Sequence, residues 1–207
     1  MSKLNVVDHP LVQEKLAQIR DQATPPADFR RLMTDVGMFL GYEILADVRT
    51  KKARVRTPLT AMEARRLDQP VVCVAILRAG LGLSEGVGRA YPETRFGHIG
   101  IYRNEASLEP VRYYVRLPNE LEKSFVILAD PMIATGGSAI EALSILKSAG
   151  AKHVHLLALI AAKSGVEKVR AAHPDVSITL AAVDPTLNEH GFIVPGLGDA
   201  GDRTFGT

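Results

Sequence analysis

Disulfides are the first thing the sequence rules out: Cys73 is its only cysteine, so no intrachain bridge can form. Cys73 sits in the apolar run Val71-Val72-Cys73-Val74, where a small buried hydrophobe is expected. A chain without disulfides suits the reducing cytoplasm. Long hydrophobic runs are also missing. The longest, Leu156 to Ala162, is far too short to span a bilayer. Met1-Ser2-Lys3-Leu4-Asn5 leads into no apolar signal region, so no membrane partner is expected. Nor does charge of one sign dominate. Lys and Arg number 25 against 23 Asp and Glu, a formal charge of +2. A non-specific nucleic-acid binder needs a basic excess to displace counterions, so nucleic acid is not an expected partner. Two common phosphate loops are absent as well. There is no Gly-x-x-x-x-Gly-Lys-Ser/Thr, and Gly80 to Gly86 carries its third glycine one position too late for a dinucleotide fingerprint.

What is there reads as one globular domain. The chain has 207 residues, 46% of them hydrophobic and 23% charged, ordinary proportions for a folded protein with a sizeable core. Leu11, Val12, Leu16 and Ile19 suggest a short amphipathic helix. A second helix starts near Thr24-Pro25, with Thr24 as cap and Pro25 in the first turn. Phe29, Leu32, Met33, Val36, Leu40 and Ile44 mark its buried face at helical spacing, and it is expected to reach towards Thr50. Residues 54–59 read as a short edge strand, with Pro58 unsuited to a sheet centre. From residue 71 strands and helices alternate. Strands are expected at 71–77, 95–102, 125–129, 154–160 and 176–183, with a hairpin arm over 108–117. Helices are expected at 83–91, 138–149 and 165–172, the middle one closed by Gly150. Strands apolar on both faces, alternating with helices, indicate an α/β fold: a mostly parallel twisted sheet with helices on both faces. The segment from Asn188 onward is rich in Gly, but Phe192, Ile193, Val194 and Leu197 mark it as structured.

The most informative stretch runs from Phe125 to Ser138. A buried strand leads directly into Asp130, then Pro131-Met132-Ile133-Ala134, then the turn Thr135-Gly136-Gly137-Ser138 and a helix. Ligands of open α/β sheets bind at the carboxyl ends of strands. The glycines let backbone N–H groups approach a phosphate, the two hydroxyls can donate, and the helix N-terminus adds unsatisfied N–H groups and a favourable dipole. Asp130 would repel phosphate, so it is better used on sugar hydroxyls. Together these residues describe a pocket for a phosphorylated ribose. His153 and His155 share a strand face at a spacing usable for metal, but no third ligand is evident and a structural role is favoured.

These residues resemble type I phosphoribosyltransferases, in which such a loop binds phosphoribosyl diphosphate (PRPP). Three other strings narrow the resemblance to the uracil phosphoribosyltransferase family: Ile76-Leu77-Arg78-Ala79-Gly80-Leu81-Gly82, Ile101-Tyr102-Arg103-Asn104-Glu105, and Gly196-Leu197-Gly198-Asp199-Ala200-Gly201-Asp202-Arg203. Asn188-Glu189-His190-Gly191 adds to it. The resemblance divides the chain into an N-terminal helical and edge segment (1–70), a PRPP-binding core (71–186) and a uracil-binding tail (187–207). It implies transfer of the phosphoribosyl unit of PRPP to uracil, giving UMP and diphosphate. Arg78 and Arg103 are implied to contact the diphosphate, Asp130 to Ser138 to hold the ribose phosphate, and Asp199 to lie near PRPP. Ile193, Gly198, Asp199 and Ala200 are implied to bind uracil, largely through main-chain groups. One departure stands out: where many type I enzymes carry two adjacent acids, this chain has Ala129 before Asp130. Mg²⁺ is therefore expected to arrive on PRPP with its waters rather than on protein carboxylates. The acceptor of the uracil proton stays open between Asp199, water and PRPP itself. The arm over 104–117 reads equally as a lid over PRPP or, through Tyr113 and Tyr114, as a subunit interface. The resemblance further suggests a homodimer or higher assembly touching through the N-terminal helices, with GTP as a candidate effector. A phosphoribosyltransferase for another base, or an RNA-binding regulator on the same fold, are the competing readings.

Overall fold

The computed structural model describes residues 2–103 and 110–207. A short strand β1 (Leu4–Val6) precedes helix α1 (Pro10–Arg20). This helix starts where His9 Nδ1 accepts the Leu11 N–H at 3.2 Å and Pro10 occupies the first turn. It buries Val12, Leu16 and Ile19, whereas Leu11 is 54% exposed and leaves the expected stripe. Helix α2 (Pro26–Leu45) buries the six expected apolar residues. Its start differs from the reading at Thr24. Pro25 holds the cap position without a side-chain bond, and the Thr24 hydroxyl donates instead to the Gln18 carbonyl. The helix stops short of Thr50 because Asp47 and Val48 donate three residues back in a tightening turn.

Strands β2 (Thr50–Arg56) and β3 (Ala61–Leu67) form an antiparallel hairpin, in register from Thr50↔Leu67 to Arg56↔Ala61. The expected strand at 54–59 is thus shifted: Thr57 to Thr60 is the turn, pinned by the Thr57 hydroxyl. β3 escaped notice because its charged sequence lacks an apolar alternation.

The central sheet follows. β4 (Val71–Leu77) leads into α3 (Leu81–Ala90), then β5 (Arg95–Arg103) and β6 (Pro110–Arg116). β7 (Phe125–Ala129) is followed by the two-residue β8 (Met132–Ile133) and α4 (Gly137–Ser148). β9 (His153–Leu157), β10 (Ile160–Ala162) and α5 (Lys163–Ala172) come next. β11 (Ser177–Leu180), β12 (Ala182–Asp184), β13 (Thr186–Leu187), β14 (Ile193–Val194) and α6 (Ala200–Phe205) complete the order. The main sheet has strand order β1-β11-β9-β7-β4-β5-β6, parallel throughout except for antiparallel β6.

The pleat explains why these strands read as unbroken apolar runs. Val71, Cys73, Phe125 and Ile127 face a core shared with α1, α2 and α3. Val72, Val74, Val126 and Leu128 face a second core shared with α4 and α5. Alternate side chains enter different cores, so both must be apolar. Burial pushes the Cys73 thiol far above its ordinary range, which removes it as a nucleophile.

Two expected long strands are each two. The runs 154–160 and 176–183 break, and their second halves, β10 and β12, join β8 in a small parallel sheet of order β12-β10-β8. Three neighbouring strands of the main sheet, β7, β9 and β11, thus each continue into a second sheet beyond their carboxyl ends. His155 is buried rather than paired with exposed His153 for a metal. Its Nε2 lies 2.8 Å from the Thr179 hydroxyl, and burial pushes the ring down to about 4, so it stays neutral.

Candidate active site

A cleft of about 610 Å³ opens where β7 gives way to α4, lined by Asp130, Met132 to Ala139, His190 to Ile193 and Asp199. Its size suits a small phosphorylated ligand. Asp130 stands half-buried where β7 ends, its own N–H donating to the Leu157 carbonyl at 3.0 Å. Burial pushes the carboxyl up to about 7, against a smaller pull downwards from the Met132 N–H. It is poised between acid and carboxylate near neutrality, and hydroxyl donors from a ligand would favour the carboxylate.

Beyond Asp130 the chain forms one wall of the cleft. Gly136 takes φ +83° and caps α4 without any side-chain bond to the first turn. An added Cβ there would meet the Gly165 carbonyl at 3.1 Å and Val169 at 3.2 Å. A residue with a side chain is disfavoured both by the left-handed backbone and by α5 behind it. The open first turn of α4 therefore faces the cleft, flanked by Thr135, Gly137 and Ser138. A helix N-terminus without a side-chain cap, beside two hydroxyls, offers the kind of donors an anion takes.

The opposite wall comes from the segment after β13. Asn188 Oδ1 accepts from the N–H groups of His190 and Phe192, at 3.0 and 2.9 Å. That folds 188–192 into a turn and brings His190, Gly191 and Phe192 to the cleft. The Val194–Pro195 peptide is cis. Asp199 caps α6, its Oδ1 accepting the Asp202 N–H at 2.9 Å, while still lining the cleft. Arg203 ties this region to the N-terminal helices. It donates to the carbonyls of Ile19, Asp21 and Leu197 and stacks on Phe29 with its guanidinium carbon 4.5 Å from the ring centre.

The expected site residues divide into groups. Asp130, Met132, Ile133, Ala134, Thr135, Gly136, Gly137, Ser138, Ile193 and Asp199 come together around one cleft. Pro131 is buried behind them, and Ala200 is buried at the start of α6. Gly198 is exposed at φ +81°, and among the described residues no partner takes its N–H or carbonyl. Arg78 follows a cis Leu77–Arg78 peptide and does not line the cleft. Its Nη2 lies 3.9 Å from Asp202 Oδ1 and its guanidinium over the Phe205 ring. The backbone of Arg103 ends β5; its side chain, and residues 104–109 of the expected arm, lie outside the described residues. Tyr113, on the described part of that arm, is 55% exposed and its ring centre is 6.1 Å from that of Tyr102.

For a metal, the donor set is sparse. Among the described residues no group of three His, Cys, Asp or Glu could hold an ion, and Asp130 has Ala129 rather than a second acid beside it. A lone carboxylate with hydroxyls nearby fits an Mg²⁺ that keeps most of its ligands from phosphate and water.

Phe192 lines the cleft without having been singled out for it; its exposed apolar ring in a Gly-rich segment was the available signal. Arg20 and Asp184 went unnoticed altogether, although Asp184-Pro185 repeats the strand-Asp-Pro pattern of Asp130-Pro131.

A family model described as uracil phosphoribosyltransferase matches residues 6–207. A uracil phosphoribosyltransferase of Macrococcus caseolyticus is 50% identical, and one of Symbiobacterium thermophilum 49%, each over the whole of both chains. A solved protein from Aquifex aeolicus superposes with a TM-score of 0.93 at 37% identity, over 98% of this chain and 97% of that one. An adenine phosphoribosyl transferase from Trypanosoma brucei shares the fold, with a TM-score of 0.60 at 15% identity over 95% and 87% of the two chains. No described helix is long and apolar enough to cross a membrane.

Proposed function

The chain belongs to the uracil phosphoribosyltransferase family, and from that premise we propose how its residues divide the work of converting uracil and PRPP into UMP and diphosphate. The reading is carried by one observation: a lone carboxylate, Asp130, beside an α4 N-terminus that has no side-chain cap, facing the Gly-rich tail across a single cleft. The first turn of α4, with Thr135 and Ser138, holds the 5′-phosphate. Asp130 accepts hydrogen bonds from the ribose hydroxyls and, as the carboxylate, favours positive charge developing on the ring.

The bond between C1′ and the diphosphate oxygen breaks with its electron pair leaving on the diphosphate, while uracil N1 bonds to C1′. Arg78 and Arg103 receive the leaving group, because guanidinium grips phosphate with paired N–H donors. Arg78 reaches it by leaving Asp202 and Phe205. When bound through PRPP, Mg²⁺ supplies further charge neutralisation on the diphosphate. The tail positions uracil near C1′ through main-chain groups of Ile193, Gly198 and Ala200, which supplies catalysis by proximity. Main-chain donors and acceptors match uracil and reject cytosine, whose amino group would meet a donor. The N1 proton leaves to water, to PRPP or to Asp199, whose Oδ2 is the oxygen not engaged by the α6 cap.

The chain acts as one phosphoribosyltransferase unit in the cytoplasm, as a homodimer or higher assembly. An apolar groove of about 390 Å³ lined by Leu11, Phe39 and Tyr42 supports contact through the N-terminal helices. GTP is the candidate effector. The test is product formation from labelled uracil, PRPP and Mg²⁺ with cytosine and hypoxanthine as competitors. UMP formed regardless of the competitors, and formed about one to two orders of magnitude more slowly in Asp130→Asn, is the expected result. No UMP under varied metal and nucleotide conditions overturns the reading.

A further inference from the structure

Asp184, at the end of β12, is a nearly buried carboxylate, its side chain only 6% exposed. Arg20, in the last turn of α1, meets it with a fork: Nη2 lies 2.7 Å from Oδ1 and Nη1 2.8 Å from Oδ2. The same two side chains also grip a single residue of the tail. Asp184 Oδ2 accepts the Gly196 N–H at 3.0 Å, and Arg20 Nη1 donates to the Gly196 carbonyl at 2.7 Å. Both peptide planes flanking Gly196 are therefore fixed by one ion pair.

A buried ion pair is a poor source of stability, because desolvation offsets most of the attraction. It is a good source of orientation, because a bidentate guanidinium–carboxylate fork tolerates little angular error. What it orients here is unusual backbone. Gly196 takes φ +62°, and an added Cβ would collide with the Ile193 carbonyl. The loop thus folds back onto Ile193, and the clamp sits between Ile193 on one side and Gly198 on the other. Arg203 then takes the Leu197 carbonyl at 2.8 Å, so the two consecutive carbonyls before Gly198 are both held by arginines.

We propose that the Arg20–Asp184 pair is a positioning device for base recognition: by fixing Gly196 it sets where the main-chain groups of Ile193 and Gly198 stand, so that uracil affinity depends on helix α1. This rests on the reading of the tail as the uracil site. Neither side chain lines the cleft, so both act through Gly196 and not on the substrate. Because the clamp holds Gly196, between Ile193 and Gly198, and touches neither the first turn of α4 nor Asp199, its loss affects uracil far more than PRPP.

The test measures the KM for uracil and for PRPP separately, with melting temperature in parallel, in Asp184→Asn, Arg20→Lys and Gly198→Ala. Asp184→Asn puts an amide N–H₂ where Arg20 or Gly196 needs an acceptor. Arg20→Lys keeps the charge but loses the fork. The expected result is a roughly tenfold to hundredfold rise in uracil KM, the scale of a small misplacement, with the PRPP KM held within about twofold. Folded clamp variants with unchanged uracil KM overturn the proposal, and so does a parallel rise in both constants, which marks general distortion. If Gly198→Ala raises the uracil KM and the clamp variants do not, only the clamp fails. If Gly198→Ala also leaves it unchanged, the tail reading fails with it. Should the single clamp variants not fold, the double variant Asp184→Asn/Arg20→Gln removes the buried charges together, and a wild-type uracil KM in that protein equally overturns the proposal.

Discussion

The guanidinium carbon of Arg78 stands 5.0 Å from the centre of the Phe205 ring, and its Nη2 lies 3.9 Å from Asp202 Oδ1. The arginine assigned to the diphosphate thus rests on α6, with more than half of its side chain exposed. An exposed ion pair at that distance contributes little, so the ring is the stronger hold.

If Arg78 must leave Phe205 to reach PRPP, Phe205→Ala removes a competing contact worth about 0.5–1 kcal/mol. PRPP affinity, measured by calorimetry, is then expected to rise by about two- to fivefold, while Arg78→Ala abolishes most of it. A weaker affinity in Phe205→Ala would mean that Arg78 grips PRPP from its present position.

Asp130 gives the protein a specific pH dependence. Its carboxyl is pushed up to about 7 in the folded chain, against about 4 for an unfolded aspartate. The folded state holds the proton more tightly, so this group's contribution to stability is full below about pH 4 and is lost as pH rises through about 7. Asp130→Asn is expected to flatten melting temperature against pH across that window and to stabilise the unliganded protein above it. Thermal melts from pH 4 to 8 check this.

The same carboxyl should release its proton when sugar hydroxyls bind. Titrating PRPP near pH 6.5 in buffers of different ionisation enthalpy is expected to show net proton release that is smaller in Asp130→Asn, where only the ligand's own phosphates contribute. The mutant should also lose about one to two orders of magnitude in kcat/KM, the value of a hydrogen bond to a charged group.

Gly136→Ala tests the phosphate cradle. Its φ of +83° and the 3.1 Å approach to the Gly165 carbonyl leave no relaxed place for a methyl group. A cost of about 1–2 kcal/mol in stability is expected from the left-handed backbone alone. The first turn of α4 should shift with it, raising the PRPP KM while the uracil KM stays near its starting value.

Removal of metal should separate catalysis from folding. With no described three-residue cluster able to hold an ion, Mg²⁺ alone is expected to leave the melting temperature unchanged. PRPP with Mg²⁺ should raise it by linkage, and a chelator should abolish turnover. A shift with Mg²⁺ alone would point to direct ligation by the chain.

Much of this protein is legible in its sequence. The apolar runs of β4 and β7 read as two-faced interior strands, because every position in them is hydrophobic and they are short and β-branched. The step from such a strand into Asp130 and Thr135-Gly136-Gly137-Ser138 placed a polar site at a strand end. Six apolar residues at helical spacing fixed the buried face of α2. These signals are local: a run, a period or a turn is written within a dozen residues, and neighbouring side chains suffice to define it.

Tertiary structure alone decided the rest. Nothing within 154–160 or 176–183 marks where each run leaves the main sheet for the small one, since both sheets demand the same apolar side chains; only the partners β8, β10 and β12 offer one another made the break. β3 has no pattern because the hairpin buries neither face deeply. Arg20 and Asp184 meet across most of the length of the chain, and no spacing rule connects a helix end to a distant strand end. The sequence determined which residues are apolar, flexible or charged, and so the class of fold and the donors of the Gly-rich loop after β7. Which charge meets which, and how Gly196 is held, depended on long-range packing, because electrostatic partners are chosen by distance in space.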